Sequence, residues 1–264
     1  MSNNAVDLRH FQSFLRKTST VLVLTLLTLM ASAQNKMRPL EQLINETDSG
    51  WPLVQEWISK AKNKVQVLPC NTNRAKDALY KTQVTTRSPM GAIVYATGGL
   101  LIDHGWIRVL GSGCSKLNRS LPDWNKGKSF KEFGQRPGVL LIADDVAGGF
   151  FAVNGGALGS DAGKVYYLSP DQLEWVPLDL TYTDFLHFCF NGDLATFYKD
   201  LRWKNWKSDV EKLNGDTVFN FYPYLWTKEG QNINKVSRKP VPIEEQYLLN
   251  LDLIKQLLEK KNGS

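Results

Sequence analysis

Histidine and cysteine are scarce in this chain, with three of each among 264 residues. His104 and His187 have no second histidine at ligand spacing and there is no Cys-x-x-Cys pair, which excludes the common zinc frameworks. No serine stands in a nucleophile elbow. Ser112 has Leu110 where the first glycine belongs, so Asp103-His104 lacks a partner for hydrolysis and reads as a solvated turn. A phosphate loop is missing too. Before Gly163-Lys164 the required glycine is replaced by Leu158, and Val165 follows where Ser or Thr is needed. The glycines of 159–163 therefore predict a hairpin turn. Neither a 20–50-residue repeat nor a low-complexity linker interrupts the chain. No cofactor and no metal are expected.

Long apolar runs are also absent. The longest, at 21–30, is about half of the ~20 residues that span a bilayer as a helix. It follows Arg9, Arg16 and Lys17 and precedes Ala31-Ser32-Ala33, the order of a cleavable secretory signal. Residues 1–33 thus predict a signal peptide cut between Ala33 and Gln34, with export to the periplasm or medium and no stable membrane span afterwards. Met37 offers an alternative start, but a chance extension rarely carries all three signal regions in order.

The formal charge of +6 falls to +4 beyond Ala33, where 29 basic residues face 25 acidic ones. The signs alternate without the dense stripe of a nucleic-acid binder, so no nucleic-acid partner is expected. At 42% hydrophobic and 11% aromatic, the chain has enough apolar surface for a core. In an oxidising compartment, three cysteines allow one internal pair. Cys189, between Phe188 and Phe190, reads as a buried thiol, and Cys70 with Cys114 is the candidate disulfide, worth ~4 kcal/mol if formed.

Helical spacing of Leu40, Leu43 and Ile44 opens the domain. Pro52 starts a second helix with Val54, Trp57 and Ile58 inward, and 74–81 forms a third. Ser88-Pro89 caps a fourth, closed by Gly98 in the left-handed conformation. The period then drops to two. Segments 100–102 and 106–110 predict a hairpin about Asp103-His104-Gly105, and 139–143, 150–153, 164–168 and 174–178 predict four further strands. Thr181 with Asp184 resembles a capping box for a helix ending at Gly192. Two more helices follow at 194–201 and 205–213, then an edge strand at 218–226 containing Pro223. A closing helix over 242–260 carries the apolar stripe Tyr247, Leu248, Leu251, Ile254, Leu257 and Leu258. Helices, an antiparallel meander and helices again make an α+β fold: an antiparallel or mixed sheet flanked by N- and C-terminal helices, one domain over 34–264 with its core at about 37–258.

Two clusters are candidate sites. Asp144-Asp145 before Gly148-Gly149 offers carboxylates at a strand end, with Asn154 or Asp161 as further oxygen donors for a cation. Calcium ligand spacing is lacking, however, and a turn whose aspartates accept backbone hydrogen bonds explains the cluster as well. Trp203, Trp206 and Trp226 belong to an aromatic concentration over 203–226. Exposed, it would form a recognition surface; buried, it fills a core, the commoner outcome.

Longer runs carry a resemblance. Gly98-Gly99-Leu100-Leu101-Ile102-Asp103-His104-Gly105-Trp106 and Ile142 through Gly156, with Ser169-Pro170-Asp171, Asp184-Phe185-Leu186 and Arg202-Trp203, resemble the bacterial domain-of-unknown-function family 2625, over nearly all of 37–250. That family carries no assigned activity. More distantly the core resembles the SUKH superfamily, with Tyr182–Leu186 matching an aromatic-x-x-Phe-Leu helix. This likeness implies a mixed scaffold that binds partner proteins, often as an immunity factor against a toxin. The residues and the resemblance together favour a non-enzymatic binding module with a protein partner. The alternative is an exported hydrolase or carbohydrate-active protein using Asp144 and Asp145, which suffers because neighbours on a strand point to opposite faces. Protein recovered from its native host is expected to begin at Gln34, and an intact mass retaining residues 1–33 in the soluble fraction would overturn the export assignment.

Overall fold

The computed structural model describes residues 37–262, of which those from Arg38 onward belong to one compact unit. The predicted signal segment, with Ala33 and Gln34, lies outside the described residues. Seven strands pair antiparallel in chain order as one meander: β1 (Val65–Leu68), β2 (Gly99–Ile102), β3 (Ile107–Leu110), β4 (Val139–Asp145), β5 (Phe150–Asn154), β6 (Val165–Leu168) and β7 (Trp175–Leu180). The fold is α+β, as the element order predicts. The strand not predicted is β1, four residues long and edge-placed, which pairs Val65 with Ile102 and Leu68 with Gly99.

Register assigns the side chains to two faces. Arg108 pairs with Leu101 on one side and Asp144 on the other, and Asp144 pairs with Phe150, so these four share one face. Asp145 lies opposite Ile107 and shares the other face with Ala143, Phe151 and Tyr167. Both faces are covered. Helix α6 (Tyr182–Asn191) brings Phe185 to 4.9 Å from Phe151, on the Asp145 face. On the Asp144 face, Tyr247 of the closing helix packs 5.0 Å from Phe150. Trp203 and Trp206 lie 5.7 and 5.0 Å from Trp106 in the turn before β3, which also packs 5.3 Å from Tyr198. A sheet sandwiched in this way explains why β2, β3 and β6 are buried at every position instead of alternating.

Local signals account for most helices. The N-terminal layer is α1 (Leu40–Leu43), α2 (Trp51–Ser59), α3 (Thr72–Thr82) and α4 (Pro89–Ala96). Ser88 caps α4 by accepting from Gly91 N at 3.1 Å. The expected left-handed closure at Gly98 is corrected: Thr97 ends the helix in extended conformation. Gly98 serves proximity instead, because a β-carbon there would fall 2.6 Å from Pro69 O and 2.9 Å from Cys114 Cβ. The short α5 (Leu121–Asn125) was not predicted; Ser120 caps it. Thr181 and Asp184 form the full capping box of α6. The segment 194–201 shrinks to α7 (Leu194–Phe197), and 205–213 to α8 (Trp206–Val210). β8 (Thr217–Tyr222) stops before Pro223 and pairs with β9 (Ser237–Pro242), a strand the sequence reading missed.

The closing helix α9 (Ile243–Asn262) forms as expected, but its stripe is corrected. Tyr247 is buried, whereas Leu248, Leu251 and Leu258 are exposed, and the polar Gln246 and Asn250 are buried in their place. The reason is a polar tether. Asn220 Nδ2 donates to Gln246 Oε1 at 2.8 Å, Gln246 Nε2 to Asn250 Oδ1 at 2.8 Å, and Asn250 Nδ2 to Gly148 O at 3.0 Å. Buried amides need such partners, so the helix rolls until they meet the 146–149 turn.

Gly148 and Gly149 are both required, for different reasons. Gly148 holds φ at +89° and a β-carbon there would lie 2.9 Å from Gln246 Cγ. Gly149 instead provides space, since a β-carbon would overlap Asp145 Oδ2 and Tyr167 Oη. The candidate disulfide is corrected as well. All three cysteines are free, with Cys70 exposed and its Sγ donating to Tyr95 O at 3.3 Å, and Cys114 buried beside Gly98. Cys189 is buried, and burial holds its thiol pKa well above the ordinary range. Replacing Gly149 with Val is expected to lower stability by at least ~1–3 kcal/mol, seen as an earlier denaturant midpoint; an unchanged midpoint would refute the packing account.

Candidate functional site

Asp144 and Asp145 occupy the end of β4, where the sheet meets both covering layers, and are 1% and 0% exposed. Their chemistry diverges with their faces. Asp144 sits between two guanidinium groups: Arg108 Nε donates to its Oδ1 at 2.5 Å and Arg119 Nη1 to its Oδ2 at 2.7 Å. Arg108, 2% exposed, also donates to Thr217 O at 2.5 Å and Asp145 O at 3.2 Å. Arg119 continues to Asp216 Oδ1 at 3.0 Å and Gly215 O at 2.8 Å, with its guanidinium 4.7 Å above the Trp124 ring. The result is a charge-balanced row, Arg108–Asp144–Arg119–Asp216, with nearly every donor used. Burial lowers the Arg108 pKa, and the adjacent Asp144 carboxylate opposes that shift.

Asp145 takes no guanidinium on its carboxylate. Its Oδ1 accepts from Ala147 N at 2.9 Å and Gly149 N at 3.0 Å, and its Oδ2 from Tyr167 Oη at 2.7 Å and Tyr198 Oη at 3.4 Å. The backbone-accepting turn weighed from sequence is thus what Asp145 makes, while Asp144 makes a buried ion pair. Burial raises the Asp145 pKa above its ordinary 3.8, with the Tyr167 and Gly149 hydrogen bonds pulling the other way. Tyr167 and Tyr198 are held well above the usual phenol range, first by burial and then by the Asp145 charge.

The cation-site donors are not brought together. Asn154 lies four residues along β5 from Phe150, the partner of Asp144, a separation of ~13 Å at strand rise. Asn154 organises the 155–163 turn instead, accepting from Gly156 N and Leu158 N and donating to Gly159 O and Asp161 Oδ1. Among the described residues no group of three or more His, Cys, Asp or Glu is placed to hold a metal ion, and no helix is long and apolar enough to cross a membrane. Asp103 turns away from His104 to pair with Arg202 Nη2 at 2.5 Å.

The three tryptophans separate. Trp203 is 3% exposed and donates from Nε1 to Asp209 Oδ2 at 2.7 Å, so of the two alternatives it takes core packing and drops out as a binding candidate. Trp206 is half-buried beneath Arg202, whose guanidinium stands 4.2 Å from its ring. Trp226 follows β8 and lines an open cavity of about 370 Å³ with Asp171, Asp200, Leu201, Leu225 and Gln231. Its ring stacks on Tyr224 at 6.1 Å with 12° between planes, and Tyr222 continues the aromatic row at 70% exposure. The Trp226 Nε1 proton has no acceptor among the described residues, and Asp200 has no ion-pair partner among them. Neither Asp144 nor Asp145 lines this cavity. Sequence reasoning missed Arg108, Arg119 and Tyr167. The one available signal was the apolar run of 139–143 and 150–153, which implies a sheet covered on both faces; nothing local marked Arg108 as buried.

A two-face-covered meander with an internal ion-pair row and an aromatic-walled surface cavity defines an α+β domain. Its sequence assigns it further. The family described as "Protein of unknown function DUF2625" matches residues 40–246, and the chain belongs to that family. An uncharacterised protein of Haemophilus influenzae (strain ATCC 51907 / DSM 11121 / KW20 / Rd) is 47% identical over 214 residues, 81% of this chain and 94% of that protein. The uncharacterised protein YbfG of Escherichia coli (strain K12) is 47% identical over 211 residues, 80% of this chain and 94% of its own. No solved structure matches the chain, and these comparisons do not show the SUKH resemblance.

Asp144→Asn leaves Arg108 without its buried counter-charge and is expected to cost ~3–5 kcal/mol. Asp145→Asn keeps an acceptor for the two backbone N–H groups and a donor for the tyrosines, and the fold is expected to survive. Because the native Asp145 pKa is raised, the folded state holds the proton between pH 3.8 and that raised value while the unfolded state has lost it. Wild-type stability therefore falls with rising pH across that window relative to Asp145→Asn. Denaturant titrations of both proteins across the acid range check the sign, and parallel curves would refute it.

Proposed function

We propose that this chain is an exported, non-enzymatic binding module that seats a side chain of a protein partner against Trp226. The observation that carries this reading is the cavity itself. At about 370 Å³ it falls within the ~300–1,000 Å³ typical of ligand sites, and it sets an aromatic wall beside Asp171, Asp200 and Gln231. Tryptophan and tyrosine dominate interface hot spots because they bury much area at small entropic cost. Tyr224 stacks on Trp226, and the exposed Tyr222 packs on Tyr224 in turn, so further aromatic surface adjoins the cavity residue. Export rests on the three ordered regions of the N-terminal sequence.

Partner recognition on this reading depends on aromatic surface and not on the acidic pair, whose carboxylates are committed to internal bonds. The test is capture from the protein's own cell envelope with three baits: wild type, Trp226→Ala and Asp145→Asn. Trp226→Ala is expected to weaken capture by ~2 kcal/mol or more with an unchanged circular dichroism spectrum, while Asp145→Asn captures normally. Normal capture by folded Trp226→Ala would sink the proposal.

A further inference from the structure

We propose a second binding site, for a small oxyanion, in the pocket where the β1–β3 edge of the large sheet meets the segment 210–215. It shares no lining residue with the Trp226 cavity, so either reading can fail alone. The pocket is about 230 Å³, below the ~300–1,000 Å³ of typical small-molecule sites, which suits a compact anion and excludes a nucleotide.

Its walls are cationic from several directions. Lys64 enters just before β1 and Lys116 from the loop after β3, with Arg108 at the floor. Arg108 is paired with Asp144 and donates to two carbonyls, so the unpaired positive charge of the pocket comes from the lysines. The lysines supply the donors. Lys116 Nζ gives one to Gln66 Oε1 at 3.0 Å, which holds the ammonium over the pocket with two protons left. The Lys64 ammonium has no ion-pair partner among the described residues. Glu211 is the one carboxylate of the lining, and it is largely exposed. Two lysine ammoniums against one largely exposed carboxylate leave the pocket net positive, which favours an anion.

A tight hairpin turn forms the remaining wall. Asp103, His104 and Gly105 hold φ at +49°, +60° and +87° in succession, the left-handed backbone of a tight hairpin turn, which aspartate and histidine enter more readily than most residues. Two bonds hold it there: Arg202 grips the Asp103 carboxylate, and Asp103 N donates to Lys64 O at 2.8 Å. The second bond ties the turn to the backbone of Lys64 itself. His104 is thereby set at the pocket, with Nδ1 lacking a hydrogen-bond partner among the described residues and standing 3.5 Å from Glu211 Oε1.

Phosphate and carboxylate share the required chemistry, and the experiment separates them. Inorganic phosphate and succinate are titrated separately into the purified protein at low ionic strength, with chloride as control, while the amide resonances of Gly105 and Asn214 are followed by NMR. Saturable shifts with one or both probes are expected, and the probe that saturates identifies the group. Lys64→Gln and Lys116→Gln are each expected to weaken binding about tenfold, the scale of one charge-assisted hydrogen bond. Lys116→Arg, which keeps the charge, should retain most of it. Absence of saturation with both probes overturns the proposal, and so does wild-type affinity in both glutamine variants.

Discussion

The arrangement depends first on one buried carboxylate. Asp144 holds Arg108 of the neighbouring strand and Arg119 of the following loop, and Arg119 passes the connection to Asp216 at the start of β8. Ion pairs withdrawn from water lose solvation worth several kcal/mol per charge, so such a row persists only when each donor finds an acceptor. Here the carbonyls of Thr217, Asp145 and Gly215 complete the set. The row binds the C-terminal layer to the sheet, and the layer in turn creates the walls of both cavities.

Its neighbour secures the other side. Asp145 points to the opposite face, where two backbone N–H groups and the hydroxyls of Tyr167 and Tyr198 converge on it. Adjacent carboxylates on a strand therefore divide the work of joining three layers, one through charge and the other through neutral donors. Gly149 makes the second arrangement sterically available, and Gly148 makes the turn that receives the amide of Asn250. A pair of acidic residues that looks catalytic in a sequence is, in this domain, an internal fastening.

Recognition chemistry lies outside that fastening. The Trp226 cavity combines an aromatic wall with carboxylates, and the pocket beside Lys64 and Lys116 has the reverse polarity. The two linings suit ligands of different charge. The polar members of both linings, Asp171, Asp200, Gln231, Lys64 and Lys116, lie outside the ion-pair row, whereas the apolar ones such as Leu201, Leu225 and Val146 also belong to the core.

The amino-acid sequence by itself determined the meander, because strand length and turn composition are local properties. It also determined the caps at Ser88 and Thr181 and the opposed faces of Asp144 and Asp145, which follow from the two-residue period of a strand. The same reasoning missed β1 and β9, since an edge strand of four residues and one carrying Pro240 and Pro242 have weak local signals. Tertiary structure alone decided which tryptophan is core and which lines a cavity, and which way the closing helix turns its leucines. Those outcomes depend on contacts across long stretches of chain, such as Arg119 with Asp144 and Gly148 with Asn250, and no local pattern encodes a partner more than twenty residues away. Burial of Arg108 is the sharpest case: an arginine between Ile107 and Val109 reads as the solvent side of a strand until a second layer closes over it.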